Sequence, residues 1–390
     1  MSREQIHPDR YQRYFEADRF DPGIWARAAK DAGMRYAVLT TKHHDGFCLF
    51  DSALTDYTVL HTPYGRDAVS AFVEAFRAEG LKVGFYHSLL DWHHPDFPID
   101  VHHPLRDDPA AAALNSGRSM ERYREYLHGQ VRELLTGYGT IDYLFFDFSY
   151  AERYYRDLPG KGAPDWGSAE LLAMVRELQP DIIVNDRLGL AGDLVTPEQY
   201  QPSGPMLRAD GEPLTWEACQ TLNGSWGYDR DNAGDKSVPL LVRMLVDGVS
   251  NGGNLLLNVG PTGRGELDGG ALEALAGLGA WMDRHARSVH GAGPSDLVPP
   301  PDCRYTARGD RLYVHVFSWP LGHLHLPGLA GKVAYAQPLN DASELVMEEI
   351  DPSQHAQNTV PGGQPAGTLT LRLPTAPPPV AVPVVELFMR

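Results

Sequence analysis

Cysteine is scarce in this chain. Three in 390 residues, Cys48, Cys219 and Cys303, are too few and too scattered for a disulfide framework or a paired-cysteine zinc motif. A reducing compartment is the simplest setting for them. Long apolar runs are missing too: no stretch approaches the ~18 apolar residues of a spanning helix. The opening Met1–Pro8 is polar and lacks the apolar segment of a secretory leader, so the expectation is a cytoplasmic protein. Basic charge is in short supply. Against 51 Asp and Glu stand 34 Lys and Arg, a formal net charge of −17. That balance repels nucleic acid and anionic membrane and favours neutral or cationic partners. No sequence repeat of fixed period is present.

What remains has the composition of an ordinary globular protein, 43% hydrophobic and 22% charged. The length suits one large α/β domain with a smaller companion. Seven Trp and 18 Tyr suit a sugar site, where flat rings pack on C–H faces, although large cores need aromatics as well. From Asp21 to about His290, short apolar strands alternate with amphipathic helices. Strands are expected at Tyr36–Thr41, Lys82–Tyr86, Ile141–Phe146, Ile182–Asn185, Leu194–Pro197, Glu217–Thr221 and Asn254–Val259. Helices between them are expected at 68–79, 119–135, 168–178 and 238–249, with a last one at 272–286. This order implies a parallel sheet with right-handed crossovers. About seven strands are visible where a (β/α)8 barrel needs eight, and the first clear element is already a helix. After Gly291 the composition changes: Gly293-Pro294 and Pro299-Pro300-Pro301 read as a linker. Short alternating strands follow, as in a small antiparallel β-sandwich. The expected division is a barrel-like catalytic domain over 1–292 and a β-sandwich domain over 293–390.

Chemistry-bearing side chains cluster where these strands end, the place where ligands bind in parallel α/β folds. The run Tyr36-Ala37-Val38-Leu39 leads into Lys42-His43-His44-Asp45-Gly46-Phe47. His87 and Trp92 follow the second strand, although Trp92 could equally be core. Asp147 ends the run Tyr143–Phe146 and is flanked by Phe146 and Phe148; a turn or helix-capping aspartate is its structural alternative. Arg187, in Asn185-Asp186-Arg187, could otherwise serve in a buried ion pair with Asp186 or Asp147. Sixteen histidines raise the question of a metal-dependent barrel hydrolase. His43-His44, His93-His94 and His102-His103 are adjacent pairs, however, and neighbours on a strand point to opposite faces. The His-x-His spacing occurs at His323-Leu324-His325, in the C-terminal region. Neither a metal nor another cofactor is expected.

The segment Thr41-Lys42-His43-His44-Asp45-Gly46-Phe47 resembles the "TKHHDGF" segment of the α-L-fucosidases, family 29 of the glycoside hydrolases. From about Tyr36 to Gly263 further segments resemble that family in the same order: Tyr86–Trp92, Asp147 after an aromatic strand, Asn185-Asp186-Arg187, Ser225-Trp226-Gly227-Tyr228 and Gly252–Pro261. The resemblance implies a retaining exo-α-L-fucosidase on a (β/α)8-like barrel lacking its first strand. It implies Asp147 as nucleophile and Glu198 as general acid/base, with Glu217 as the rival carboxylate. His43, His44, His87, Trp92, Phe145, Arg187 and Trp226 would contact substrate, an oligosaccharide or small glycoside ending in L-fucose. Such chemistry needs two carboxylates roughly 5–5.5 Å apart. Two departures from the family pattern fall beside Asp147: Phe145 stands where many members have Trp, and Phe148 where many have Gly. The His-Trp-Gly segment of the family's first strand is absent. A barrel lacking a strand exposes sheet edges, so the expectation is a homo-oligomer. A neighbouring subunit would complete the pocket in trans, with His93, His94, His102 or His103 as donors. The alternative from another class is a non-catalytic fucose-binding protein.

Overall fold

Short polar side chains start the helices. Asp21 Oδ1 accepts from the N–H groups of Gly23 (2.9 Å) and Ile24 (3.3 Å), Asp67 Oδ1 from Ser70 (2.8 Å), and Ser119 Oγ from Arg122 (3.3 Å). Each satisfies amides that a first helical turn leaves unpaired. The computed structural model describes residues 8–232, 234–357 and 361–390. Up to His7, the polar opening segment lies outside them. Helices α1 (Pro8–Tyr14), α2 (Pro22–Asp31), α3 (Ala68–Ala78), α4 (Ala111–Asn115), α5 (Met120–Gly137), α6 (Ala163–Trp166), α7 (Ser168–Leu178), α8 (Val238–Ser250) and α9 (Gly269–His285) follow in chain order. No helix among the described residues is long and apolar enough to cross a membrane.

The chain divides into two compact units. One comprises residues 1–30, 34–196 and 260–268; the other comprises 31–33, 197–259 and 269–390. In the first unit, β1 (Tyr36–Lys42), β2 (Lys82–Ser88), β3 (Tyr143–Asp147) and, after a small hairpin of β4 (Tyr154–Tyr155) and β5 (Leu158–Pro159), β6 (Ile183–Val184) form a parallel sheet in the order β1-β2-β3-β6. Tyr86 pairs with Thr40 on one side and Phe145 on the other, and Ser88 with Asp147. Because side chains alternate along a strand, one row (Val83, Phe85, Leu144, Phe146) joins Phe72, Phe76, Leu127, Val131 and Val175 in the helix-facing core. The other row carries Tyr86, Tyr143, Phe145 and Asp147. Its aromatic rings run in contact, Tyr36–Tyr143, Tyr143–Phe145 and Tyr86–Phe145, toward the C-terminal end of β3.

Two expected strands are shorter than the sequence suggests. Ile182–Asn185 reduces to Ile183–Val184. Leu194–Pro197 survives in this unit as a single parallel bridge between Asn185 and Leu194. Gly192 packs there against the Asn185 backbone, so closely that a Cβ would lie 2.4 Å from the Asn185 carbonyl carbon. The N-terminal segment is tied back onto loops of the same unit. Tyr11 stacks on Phe47 at 4.8 Å and donates to Asp45 Oδ2 (3.0 Å), and Trp25 Nε1 donates to Gly265 O (3.1 Å). Among the described residues, no strand pairs with the second edge of β1.

In the second unit, β7 (Trp216–Thr221) and β8 (Gly253–Asn258) pair in parallel from Trp216↔Gly253 to Thr221↔Asn258. Gly253 leaves room for the Trp216 ring, which a Cβ would approach to 2.2 Å. Antiparallel strands β9 (Cys303–Arg308), β10 (Arg311–Val316), β11 (His323–Leu326), β12 (Val333–Pro338), β13 (Met347–Glu349), β14 (Leu369–Arg372) and β15 (Val384–Met389) make two sheets, β12-β15-β10-β9 and β11-β14-β13. Tyr305, Val314 and Leu387 from the first sheet and Leu324, Leu326 and Leu371 from the second share one apolar core, the sandwich-like arrangement expected of this region.

Candidate active site

Asp147 is the last residue of β3 and is buried. Both carboxylate oxygens are engaged. Oδ2 accepts from Tyr86 Oη (2.9 Å); Oδ1 accepts from Arg187 Nη1 (2.8 Å) and from the Phe148 N–H (3.0 Å). Arg187 also donates through Nη2 to Thr196 O (3.3 Å) and lies over the Phe145 ring at 5.4 Å. Two donors on opposite oxygens fix the carboxylate plane, and the guanidinium supplies a charge-assisted bond.

Asn185 delivers Arg187 to this place. Its side-chain Oδ1 accepts from Phe146 N (3.0 Å) and its Nδ2 donates to Phe146 O (2.9 Å). A side chain thus makes one rung beside β3, while the backbone turns into the short 3-10 segment Asp186–Leu188 that carries Arg187. Asp186 accepts from Thr196 N (3.2 Å), and burial raises its pKa. Ser149, Tyr150, Asp186, Arg187 and Thr196 line a cavity of about 230 Å³ beside the pair.

Phe148 takes a left-handed backbone (φ 76°), a region that favours glycine. Its ring stands edge-on to His44 (4.3 Å), His102 (4.9 Å) and Tyr150 (5.4 Å). His43 stacks on Tyr86 (5.6 Å, 11°). His44 Nδ1 lies 2.5 Å from Ser88 Oγ, and its ring meets Trp92 at 5.3 Å. Burial lowers the pKa of His43 against the opposing pull of Asp45 and Asp147. For His44, burial and then the neighbouring His43, His102 and Lys42 push it well below the usual value. Both rings are therefore neutral near pH 7, each with one donor and one acceptor nitrogen, and on His44 the Nδ1 position is engaged with Ser88 Oγ. Trp92 Nε1 and His102 Nε2 are buried polar atoms without a hydrogen-bond partner.

The structure thus brings His43, His44, Trp92, Phe145 and Arg187 together around Asp147. His87 lies elsewhere. The period of two turns it from Tyr86 toward the helix-facing side, fully buried, with Nδ1 3.0 Å from Thr41 Oγ1 and its ring edge-on to Phe50. Tyr86, absent from the expected site residues, is the second donor to Asp147. His93 stacks on Tyr57, His94 packs on Tyr126, His102 on Phe148 and His103 on Phe97. These four histidines each make a ring contact within their own chain, and three of them, His93, His94 and His102, are half-buried. Among the described residues no three His, Cys, Asp or Glu side chains gather as a metal site.

Glu198, Glu217 and Trp226 belong to the second unit. Glu198 is exposed and pairs in parallel fashion with Cys219, Gln199 N donating to Cys219 O (2.9 Å). Glu217 is buried one residue inside the N-terminal end of β7, and burial raises its pKa to about 8. Trp226 follows the C-terminal end of β7, 40% exposed, and its carbonyl accepts from Asn258 Nδ2 at the end of β8 (2.8 Å).

A buried carboxylate ending a parallel strand, ringed by neutral imidazoles and aromatic faces, suits attack on a neutral sugar. Comparison with known proteins gives the class directly. The family model described as "Alpha-L-fucosidase" matches residues 4–287. The rat plasma α-L-fucosidase is 30% identical over 86% of this chain and 69% of its own. Among solved structures, α-L-fucosidase isoenzyme 1 from Paenibacillus thiaminolyticus is 43% identical with a TM-score of 0.89, covering 100% of this chain and 92% of its own. A family 29 α-L-fucosidase from Bacteroides thetaiotaomicron, trapped as a covalent intermediate with 2-fluoro-fucosyl fluoride, is 27% identical with a TM-score of 0.79. It covers 96% of this chain and 83% of its own. The protein is a glycoside hydrolase. It belongs to the α-L-fucosidases of glycoside hydrolase family 29, enzymes that hydrolyse fucosyl residues.

Proposed function

We propose that the chain is a retaining exo-α-L-fucosidase acting by double displacement. The observation that carries this reading is the Asp147 carboxylate, ending β3 and held on both oxygens by Tyr86 and Arg187. In the first step one Asp147 oxygen attacks the anomeric carbon of a terminal fucose, and Glu198 gives its proton to the departing glycosidic oxygen. In the second, Glu198 takes a proton from water, whose oxygen displaces Asp147 and releases fucose. No cofactor enters. His43, His44, Trp92, Phe145, Arg187 and Trp226 would bind the sugar, with His87 supporting the strand from behind. Two facts favour Glu198 over Glu217: it is exposed, and Glu217 sits at the strand end away from the C-terminal side where such sites form. The covalent intermediate trapped on the Bacteroides relative supports the two-step course.

The proposal includes a (β/α)8-like scaffold over residues 1–292 with residues 293–390 as its β companion. A cytoplasmic setting is supported by the scarcity and burial of the three cysteines, too scattered for a disulfide framework. A homo-oligomer completing the pocket in trans is supported by the second edge of β1, which no strand among the described residues pairs with. Activity that persists unchanged on dilution to a monomer would remove that last element.

Turnover of an aryl α-L-fucoside is the decisive measurement. Asp147→Ala is expected to fold normally and lose kcat by about three orders of magnitude or more, with partial recovery in azide as external nucleophile. Fucose binding by the unsubstituted protein without turnover would mark a lectin-like protein instead.

A further inference from the structure

Lys42 ends β1 one residue before His43, yet its side chain is wholly buried. Nζ lies 3.3 Å from Asp91 Oδ2 and 2.9 Å from Gln130 Oε1 on α5, above the Tyr126 ring at 5.1 Å. Asp91, equally buried, comes from the loop after β2. Its Oδ1 accepts from the N–H groups of His93 (3.1 Å) and His94 (2.9 Å). Gly46, at φ 83°, makes the approach possible, since a Cβ there would sit 2.1 Å from Asp91 Oδ1. Beside this pair Trp92 N donates to His44 O (2.8 Å).

Stability alone is a poor reason for such a pair. Removing two charges from water costs about as much as their attraction returns, and apolar substitutes of similar volume are often neutral or stabilising. Direction is what the pair supplies. A lysine held by a carboxylate, an amide carbonyl and an aromatic face has one position, and it joins the roots of the two loops that carry His43 and His44 on one side and Trp92 on the other.

We propose that Lys42 and Asp91 are positioning residues for the fucose pocket: their buried ion pair fixes the loops after β1 and β2 so that His43, His44 and Trp92 face the sugar. This rests on the reading of those three as fucose contacts.

The test compares L-fucose binding by calorimetry in three variants. K42M/D91N removes both charges at nearly constant shape. D91N alone keeps the backbone contacts of position 91, since its side-chain oxygen can still accept from His93 and His94, but it leaves the buried Lys42 charge without its carboxylate; it is the second variant, read wherever the double variant does not fold. His44→Ala tests the contact reading itself. In folded K42M/D91N or D91N, fucose should bind at least fivefold more weakly, with kcat/KM for an aryl fucoside falling at least as far. Fucose affinity within fivefold of the unsubstituted protein, while His44→Ala is clearly weakened, overturns the positioning role. Undiminished binding by His44→Ala overturns the contact reading instead. Failure of the nucleophile assignment shows separately, as turnover by Asp147→Ala.

Discussion

Tyr86 and Asp147 meet diagonally across neighbouring strands. The residue paired with Tyr86 on β3 is Phe145, and the phenol reaches two residues further to donate to Asp147 Oδ2 at 2.9 Å. Aromatic side chains span such diagonals readily. The ring meanwhile stays stacked between His43 and Phe145.

Tyr86→Phe should keep these stacks and with them a Tm close to that of the unsubstituted protein. Losing a hydrogen bond to a charged group should lower kcat/KM for an aryl fucoside by about tenfold to a hundredfold. Unchanged kinetics in a folded variant would mean that the phenol does not orient the carboxylate.

If Glu198 is the acid, Glu198→Ala should slow fucosides with poor leaving groups far more than activated aryl fucosides, because only the former need protonation at the departing oxygen. A steady-state series across leaving groups checks this. The same pattern in Glu217→Ala, with none in Glu198→Ala, exchanges the two roles.

Glu217 should make stability pH-dependent. Burial raises its pKa from 4.5 to about 8, so the folded chain holds this proton more tightly than the unfolded chain. The native state is favoured on the acid side and loses that advantage as pH rises through the interval between the two values. Thermal unfolding of Glu217→Gln should therefore gain on the unsubstituted protein as pH goes from about 5 to about 8. A constant difference in Tm across that range would count against a proton held by burial.

Phe148 combines a left-handed backbone with three edge-on ring contacts. Replacing it by Ala removes the ring and keeps the backbone strain; replacing it by Gly removes both. Phe148→Gly should thus be the more stable of the two by about 1 kcal/mol, read from denaturant unfolding. The reverse order would show that the backbone relaxes when the ring is absent.

Much of this arrangement was legible in the sequence because parallel strands deliver polar side chains at one end. His43 and His44 follow β1, Asp147 ends β3 and Arg187 follows β6, all strands of one sheet, so recognising the strands is enough to gather them. His87 matches the family pattern at the end of the second strand, but counting by twos from Tyr86 turns it to the helix side. Nothing in the sequence around Tyr86 marks its hydroxyl as part of the site; the strand register is what reveals its reach to Asp147. The Leu194–Pro197 segment has the apolar character of a strand, but Asn185 and Gly192 crowd it into a single bridge. Phenylalanine does not itself announce a left-handed turn, and the one trace of the Phe148 backbone geometry is the glycine that many family members have at this position.

Asn185 works as an imitation peptide group. Its carboxamide offers one donor and one acceptor to Phe146, as a neighbouring strand would, and so the chain can leave the sheet a residue early without orphaning the amide and carbonyl of β3. The consequence concerns mutational freedom. An aspartate here could accept but not donate, a serine would be too short to reach both groups, and a glutamine would overshoot. The position beside Asp147 therefore tolerates essentially one side chain, and what Asn185 holds is the backbone of β3.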